Sequence, residues 1–177
     1  MARNAAFISL SLVPHLRPAH WLGRIFVWSG QFLREAVMNP ADEVIRDILR
    51  DTRVIALVGW SPNPDRPSHG VAAYLVRRGY RVIAVNPGQA GKVAPWGEVV
   101  RAKLSEIEEE VDMVDIFRRS DAVLPVVEEA LAHFPRMPVI WMQLGVMNEI
   151  AAEMARKAGA QVVMNRCPAI EIPRLFG

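Results

Sequence analysis

The sequence predicts a single α/β domain built on a parallel sheet with helices on both faces. After residue 53, short continuous apolar runs alternate with amphipathic stretches, a pattern typical of buried parallel strands separated by helices. Two of the amphipathic stretches end at a glycine, Gly79 and Gly159, as helices commonly do. The 177 residues, 51% of them hydrophobic, suffice for one core but not comfortably for two domains.

The domain is predicted to open with a helix over residues 40–50. We expect Asn39 to cap this helix, Pro40 to lie in its first turn, and Asp42 and Glu43 to lie beside the positive end of its dipole. Apolar residues then follow at helical spacing and predict a face packed on the sheet: Val44, Ile45, Ile48 and Leu49.

The remaining elements are predicted in alternation. Strands are expected over residues 54–58, 81–85, 113–116, 139–142 and 161–164, with a short edge strand over 93–100. Helices are expected over residues 68–78, 122–134 and 147–158. Because right-handed crossovers place such helices on both faces, the expected fold is a Rossmann-like, doubly wound parallel sheet of five or six strands.

Residues 1–37 differ from the rest because their apolar residues follow no sustained period. We expect them to form an N-terminal extension outside the folded unit, either disordered or upstream of the true start, and residues 38–177 to form the domain. The apolar run after Arg3 faintly resembles a signal peptide, but no small-x-small cleavage site follows, and the run is too short to span a bilayer.

The charge distribution and the cysteine content exclude some classes of function. The pI of about 9.0 arises from residues 1–37, which carry four arginines against one glutamate, while the remaining 17 basic and 18 acidic residues nearly balance. This balance argues against a nucleic-acid surface. The single cysteine agrees with a reducing compartment, so a cytoplasmic protein without a membrane partner is expected, and a homo-oligomer stays open.

The loop after the first predicted strand, residues 59–70, suggests a phosphate site because it leads into a helix whose free N–H groups favour an anion. It is not the dinucleotide fingerprint, since only Gly59 matches the glycine spacing. The second strand ends at Asn86, where an NAD-binding domain usually places a carboxylate on the ribose. Arg66 and Lys92 could supply positive charge to a phosphorylated ribose instead.

Five short motifs occur in order between residues 54 and 171: VGWS with RPS (58–61, 66–68), VNP (85–87), VDIFR (114–118), WMQLG (141–145) and NRCP (165–168). Together they resemble the small stand-alone proteins that bind coenzyme A (CoA), relatives of the CoA-binding domain of the succinyl-CoA synthetase alpha subunit. The resemblance implies that CoA or an acyl-CoA binds at the carboxyl edge of the sheet.

The resemblance also assigns roles to individual residues. The phosphates would lie against the loop of Gly59, Trp60 and Ser61, with Arg66, Pro67 and Ser68, and the ribose with its 3′-phosphate against Asn86 and Pro87, with Lys92 as a further cation. The adenine or pyrophosphate would lie between Phe117 and Arg118, and the pantetheine along Met142, Gln143 and Leu144. The family often has Asp at Asn165 and Lys at Ala169, and the synthetase relatives place a lysine near Gln89, so the affinity is expected to differ here.

Other functions remain to be weighed against CoA binding. Ser61 could be a nucleophile only with a base beside it, and His69 has no evident carboxylate partner, so we do not expect an enzyme. The histidines form no metal-ligand spacing. The alternatives are an NAD(P)-binding oxidoreductase and a regulatory or interaction protein that senses CoA. Cys167 is either an inert buried side chain or a thiol activated by Arg166 for disulfide exchange with CoA.

Overall fold

The structure, a computed structural model, describes residues 39–177; the predicted N-terminal extension over residues 1–37 lies outside the described residues. The strands are β1 (Val54–Val58), β2 (Arg81–Val85), β3 (Met113–Ile116), β4 (Val139–Met142) and β5 (Val162–Val163). The α-helices of this range are α1 (Asp42–Asp51), α2 (Pro67–Arg77), α3 (Val123–His133), α4 (Glu149–Lys157) and α5 (Pro168–Phe176). Short 3-10 turns span Pro87–Gln89, Leu104–Glu106 and Ser120–Ala122.

The strands form one parallel sheet in the order β2-β1-β3-β4-β5. This order confirms the predicted Rossmann-like, doubly wound fold, with five strands. After β1 the chain crosses to one side of the sheet to build β2, and after β3 it crosses to the other side to build β4. The connections after β1 and β3 therefore diverge, and doubly wound sheets bind their ligands in the crevice that such a divergence opens.

Both faces of the sheet are buried, because alternate residues of each strand point to opposite sides. Ala56 and Val58 of β1 belong to a core that α3 and α4 cover, whereas Ile55 and Leu57 belong to a second core that α1, α2 and α5 cover. No residue of β1 can therefore be polar without a buried partner, which explains the continuous apolar run. Among residues 39–177, no helix has the length and hydrophobicity needed to cross a bilayer.

Asn39 does not cap α1, contrary to the prediction. The helix begins two residues later, with Ala41 at its N-cap position and no side-chain cap. The side chain of Asn39 instead donates to the carbonyl of Met164 (2.7 Å) and accepts from its N–H (2.6 Å). These two hydrogen bonds satisfy main-chain groups just after β5, so Asn39 ties the start of the domain to its last strand.

The edge strand predicted over residues 93–100 is also wrong. Val93 and Val99 form a single antiparallel bridge within a tight turn at Gly97, whose φ is +92°. Arg101 then forms one parallel bridge with Val85 at the outer side of β2. Pro95 has no N–H to donate to a ladder, which is one physical reason why this segment does not extend the sheet.

Helix α5 was not predicted. It begins with Pro168 at its first position, an ordinary helix start, but contains Pro173 in its interior. Its buried Ile172 packs in the core that α1 and α2 share. Because an interior proline is usually incompatible with a helix, the local pattern argued against this element, and tertiary packing overrode it.

Candidate functional site at the carboxyl edge of the sheet

Gly59 is the point where the loops after β1, β2 and β3 meet. Its N–H donates to the carbonyl of Val85 at 2.8 Å, which extends the β1–β2 pairing by one residue. Its φ is +92°, and a Cβ built on it would lie 2.4 Å from the carbonyl oxygen of Phe117. Only glycine allows the chain to turn here against the end of β3. The predicted glycine of the phosphate loop therefore occupies the switch point itself.

The loop from Ser61 to Ser68 is held by its own short side chains. The Ser68 hydroxyl is buried and accepts from the N–H of Ser61 at 3.2 Å. The Ser61 hydroxyl accepts from the N–H of Asn63 (3.2 Å), and the Asn63 amide oxygen accepts from the N–H of Asp65 (2.9 Å). Such side-chain turns fix a loop without secondary structure. Ser61 and Ser68 are thus brought together, and both shape the loop.

The N-terminus of α2 lies beside this loop. Arg66 occupies the N-cap position without a side-chain cap, and Pro67 lies in the first turn. The Arg66 side chain is exposed and makes no ion pair with any described residue. His69 Nδ1 lies 3.3 Å from the main-chain carbonyl of Ser61 and not against its hydroxyl, so the pair does not form a nucleophile and base in this structure.

Trp60 and Asn86 connect the loops after β1 and β2. The amide nitrogen of Asn86 donates to the carbonyl of Trp60 at 2.6 Å, and its amide oxygen accepts from the N–H of Gly88 at 2.8 Å. The Trp60 ring is only 2% exposed and packs edge-on against Trp96, with ring centroids 5.6 Å apart. Trp60 therefore packs in the core, although the resemblance placed it beside the phosphates. Asn86 holds the loop, while Pro87 beside it is exposed.

Phe117 and Arg118 lie directly after β3 and line a cleft of about 320 Å³ together with Arg119 and Ala122. The N–H of Phe117 donates to the carbonyl of Val58 at 2.8 Å, so the main chain of this residue is fixed relative to β1. The Cδ of Arg118 lies close to Gly59, 3.2 Å from the position that a Cβ would take there. A half-buried aromatic ring beside an exposed guanidinium suits a planar, negatively substituted ligand.

The three residues predicted to line a pantetheine channel separate in the structure. Met142 is the last residue of β4 and is fully buried in the core under α3 and α4, so its side chain is not at the edge. Gln143 was expected to face the cleft, but it is 4% exposed and its amide nitrogen donates inward to both carboxylate oxygens of Asp115 (2.9 and 3.0 Å). Leu144 is 56% exposed at the edge.

Asp115 is the polar residue that sequence analysis missed as a site residue. It lies inside β3 and has no exposed surface, and burial raises its pKa from 3.8 to about 7, although the hydrogen bond from Gln143 opposes this shift. A signal was present, since a carboxylate in an otherwise apolar strand is itself unusual. Only the register of β3 and β4 reveals that Gln143 lies above it.

Asn165, which follows β5, holds another loop of this edge. Asn165 adopts a left-handed conformation (φ +52°), and its side-chain oxygen accepts from the N–H of Gly145 at 2.8 Å. An aspartate, which the family often has here, could accept the same hydrogen bond, so this departure leaves the loop unchanged. Lys92 lies farther along the connection after β2, in an exposed turn where its ammonium donates to Gln89 at 2.9 Å.

Of the two alternatives for Cys167, the contacts favour the inert buried side chain over a thiol activated by Arg166. The Arg166 guanidinium pairs with Glu171 at 3.2 Å. Cys167 is 6% exposed, and burial raises the pKa of its thiol, an effect that the N–H groups of Ala169 and Ile170 oppose and the charge of Asp115 reinforces. A raised pKa keeps the thiol protonated, which is the inert form.

The fold and the site together define a class of protein. The chain is a doubly wound α/β domain whose switch point carries a turn at Gly59, the N-terminus of α2 and exposed arginines. This arrangement is typical of domains that bind phosphorylated ligands. The family model described as a CoA binding domain matches residues 53–173, and the chain belongs to that family. CoA binding is thus the general function of the class.

Relatives cover nearly the whole domain. The uncharacterized protein YneT of Bacillus subtilis is 37% identical over 131 residues, covering 74% of this chain and 93% of that protein. A solved structure from Thermus thermophilus matches with a TM-score of 0.72 and 36% identity, covering 77% of this chain and 100% of that one. A hypothetical protein from Pyrococcus horikoshii OT3 also has a TM-score of 0.72 and 36% identity, covering 78% and 94%.

Proposed function

We propose that this chain binds CoA or an acyl-CoA across the carboxyl edge of the sheet and has no catalytic machinery of its own. The observation that carries the proposal is the meeting of three loops at Gly59, whose missing side chain lets the end of β3 approach the start of the phosphate loop. A ligand lying there would contact the connections after β1, β2 and β3 at once, which suits a long molecule such as CoA.

In this proposal the pyrophosphate lies at the N-terminus of α2, where the helix dipole and the N–H of Ser68 favour an anion; Pro67 has no N–H, and the N–H of His69 donates to the carbonyl of Arg66 at 2.9 Å. Arg66 supplies the charge, and Ser61 and Ser68 hold the loop in shape. The adenine or the adjoining phosphate occupies the cleft of Phe117 and Arg118, whose volume of about 320 Å³ can take a base and part of a ribose.

The remaining parts of CoA follow the edge in both directions. The ribose lies against Asn86 and Pro87, whose position after β2 carries no carboxylate to repel a 3′-phosphate. The pantetheine runs past Gln143 toward Leu144, so the contact is made by the main chain of the turn and by an exposed apolar side chain. Non-catalytic binding is supported by the geometry of Ser61 and His69, which do not share a hydrogen bond between hydroxyl and imidazole.

Calorimetric titration with CoA, dephospho-CoA and NAD tests the proposal. We expect CoA to bind most tightly, and Arg66→Ala to weaken it by about 1–3 kcal/mol, the contribution of a charge-assisted hydrogen bond. The matched control is Arg77→Ala, which removes the same exposed charge from the other end of α2. Equal affinity for NAD and CoA would favour the oxidoreductase reading, and equal losses in both variants would remove Arg66 from the site.

A further inference from the structure

Asp115 is a carboxyl group without a cationic partner in the middle of the sheet. Its strand neighbours in register are Leu57 of β1 and Trp141 of β4. The hydrogen bonds that the structure gives its two oxygens both come from one amide nitrogen, that of Gln143. No lysine, arginine or histidine within residues 39–177 bonds it. A buried charge with one neutral donor is costly, so the group is balanced between its two protonation states.

The titratable groups around it are few, and their own partners are known. Cys167 at the start of α5 interacts with the charge of Asp115 and keeps its proton. Glu171 of α5 is paired with Arg166 and Arg174. On α2, His69 faces the carbonyl of Ser61. β1, β2 and β4 contribute no ionisable side chain to this face, because Arg81 of β2 lies on the opposite face with Ile83 and Val85.

Gln143 connects this carboxyl group to the surface. Its side chain bonds Asp115, while its carbonyl accepts from the N–H of Val146 at 2.9 Å and its own N–H donates to the carbonyl of Ile116 at 3.3 Å. It is therefore the first residue of the turn that ends β4 and leads to the exposed Leu144. A ligand that covers this turn would therefore change the environment of Asp115 through the side chain of Gln143.

We propose that Asp115 takes up a proton from solvent when CoA binds, so that the affinity for CoA falls as pH rises past neutrality. The inference rests on the proposed function, which places the ligand over Gln143. Two effects of the ligand act in the same direction: it excludes water from the turn, and its phosphates add negative charge to the same edge of the sheet. Both disfavour the carboxylate and favour the neutral acid.

The size of the effect follows from linkage. Burial already raises the pKa of Asp115 to about 7, where a further upward shift changes its protonation at ordinary working pH. If binding raises that pKa by one unit, the affinity falls about tenfold between pH well below 7 and pH well above 8. A variant without an ionisable group at this position loses this dependence.

The test is calorimetric titration of the full chain with dephospho-CoA at pH 7.5, in buffers of different ionisation enthalpy. Dephospho-CoA lacks the phosphate monoester of CoA, which would itself titrate near pH 6. We expect net uptake of a fraction of one proton by the wild type and none by Asp115→Asn. The controls Cys167→Ser and His69→Gln should keep the uptake, which excludes the two neighbouring groups as its source.

A second measurement covers the case in which Asp115→Asn does not fold. The side-chain carboxyl carbon of Asp115 is followed by NMR in the wild type, with and without ligand, from pH 5 to pH 9. A higher pKa in the complex supports the proposal, and an unchanged or lower pKa overturns it. Ligand binding without proton uptake contradicts this inference alone, whereas the absence of any CoA binding contradicts the proposed function as well.

Discussion

Asp112 and Asp115 are three residues apart in the sequence, but Asp112 lies at the amino edge of the sheet, whereas Asp115 is buried inside β3 nearer the carboxyl edge, and their electrostatic environments are opposite. Asp112 precedes β3 at the amino edge, where one of its oxygens accepts from the N–H groups of Arg53 (2.8 Å) and Val54 (2.9 Å) and the other pairs with Arg136 at 2.7 Å. Asp115, toward the carboxyl edge, is hydrogen-bonded by the amide of Gln143 and by no other side chain of the described part of the chain.

Their pKa values shift in opposite directions as a result. Burial opposes ionisation of Asp112, but its two main-chain donors and the Arg136 guanidinium outweigh it and hold the pKa below its ordinary value. Burial dominates at Asp115 and raises the pKa. The amino edge therefore neutralises its charges internally, as in the pairing of Arg81 with Glu98 and Glu109. At the carboxyl edge, Arg66 and Arg118 pair with no carboxylate of residues 39–177, which is the arrangement that the proposed anion site requires.

The largest expected effect is that of Asp115→Asn on the pH dependence of stability. The pKa of Asp115 is higher in the folded than in the unfolded chain. Its contribution to the free energy of unfolding is therefore fully present below the unfolded pKa and is lost as pH rises through about 7. A shift of about three units corresponds to about 4 kcal/mol, as an upper bound. We expect the free energy of unfolding of the variant, measured in urea, to exceed that of the wild type by an amount that grows from pH 4 to pH 8. A pH-independent difference would contradict this account.

The next largest effect is that of Gly59→Ala. The added Cβ would lie 2.4 Å from the carbonyl of Phe117, on a backbone with a φ of +92°. We expect a loss of about 2–4 kcal/mol in stability together with a loss of CoA binding. The control is Gly70→Ala in α2, where a Cβ meets nothing within 4 Å. That change should raise helix stability by about 0.5–1 kcal/mol, so equal effects of the two substitutions would contradict the role of Gly59.

A smaller effect, opposite in sign to that at Asp115, is expected at the amino edge. Asp112→Ala removes the acceptor of two main-chain N–H groups and should cost about 1–3 kcal/mol at pH 7. Because the folded pKa of Asp112 is lowered, its contribution is present above the unfolded pKa and is lost as pH falls through the folded pKa. Thermal unfolding at pH 7 and pH 3 measures this.

The control for Asp112 is Arg119→Ala, which breaks an exposed pair with Asp121 and should change stability by less than about 0.5 kcal/mol. If the cost of Asp112→Ala were the same at pH 3 as at pH 7, the loss would come from packing and not from the charge. The contrast between the two aspartates would then not hold.

The smallest effect concerns Cys167 and is chemical. With 6% exposure and a raised pKa, the thiol should react with an aromatic disulfide about tenfold or more slowly in the folded chain than in urea, because reaction requires local opening. At pH 8, Asp115→Asn should accelerate the reaction, since the nearby negative charge disfavours the thiolate. A fast reaction of the folded wild type would show that Cys167 is a reactive thiol and contradict this prediction.

The strands were the most predictable part of the fold. The boundaries of β1, β2, β3 and β4 were predicted to the residue, because strands buried on both faces require uninterrupted apolar runs. Asn39 and α5 were not predictable in the same way. An N-cap asparagine and an asparagine that bonds a distant strand look identical in sequence, and Pro173 conceals a helix that packing stabilises.

For the candidate site, the sequence alone shows which residue types follow each strand: a glycine, exposed cations and no carboxylate at the end of β2. These residue types are informative locally, because glycine and proline restrict or extend their own backbone conformation and serine hydrogen-bonds nearby main-chain groups. Only the tertiary structure decided that Trp60 and Met142 are buried, that Gln143 turns inward, and that Asp115 lies beneath it. Burial and pairing depend on strand order and register, which bring together residues that are far apart in the chain, and no local pattern contains that information.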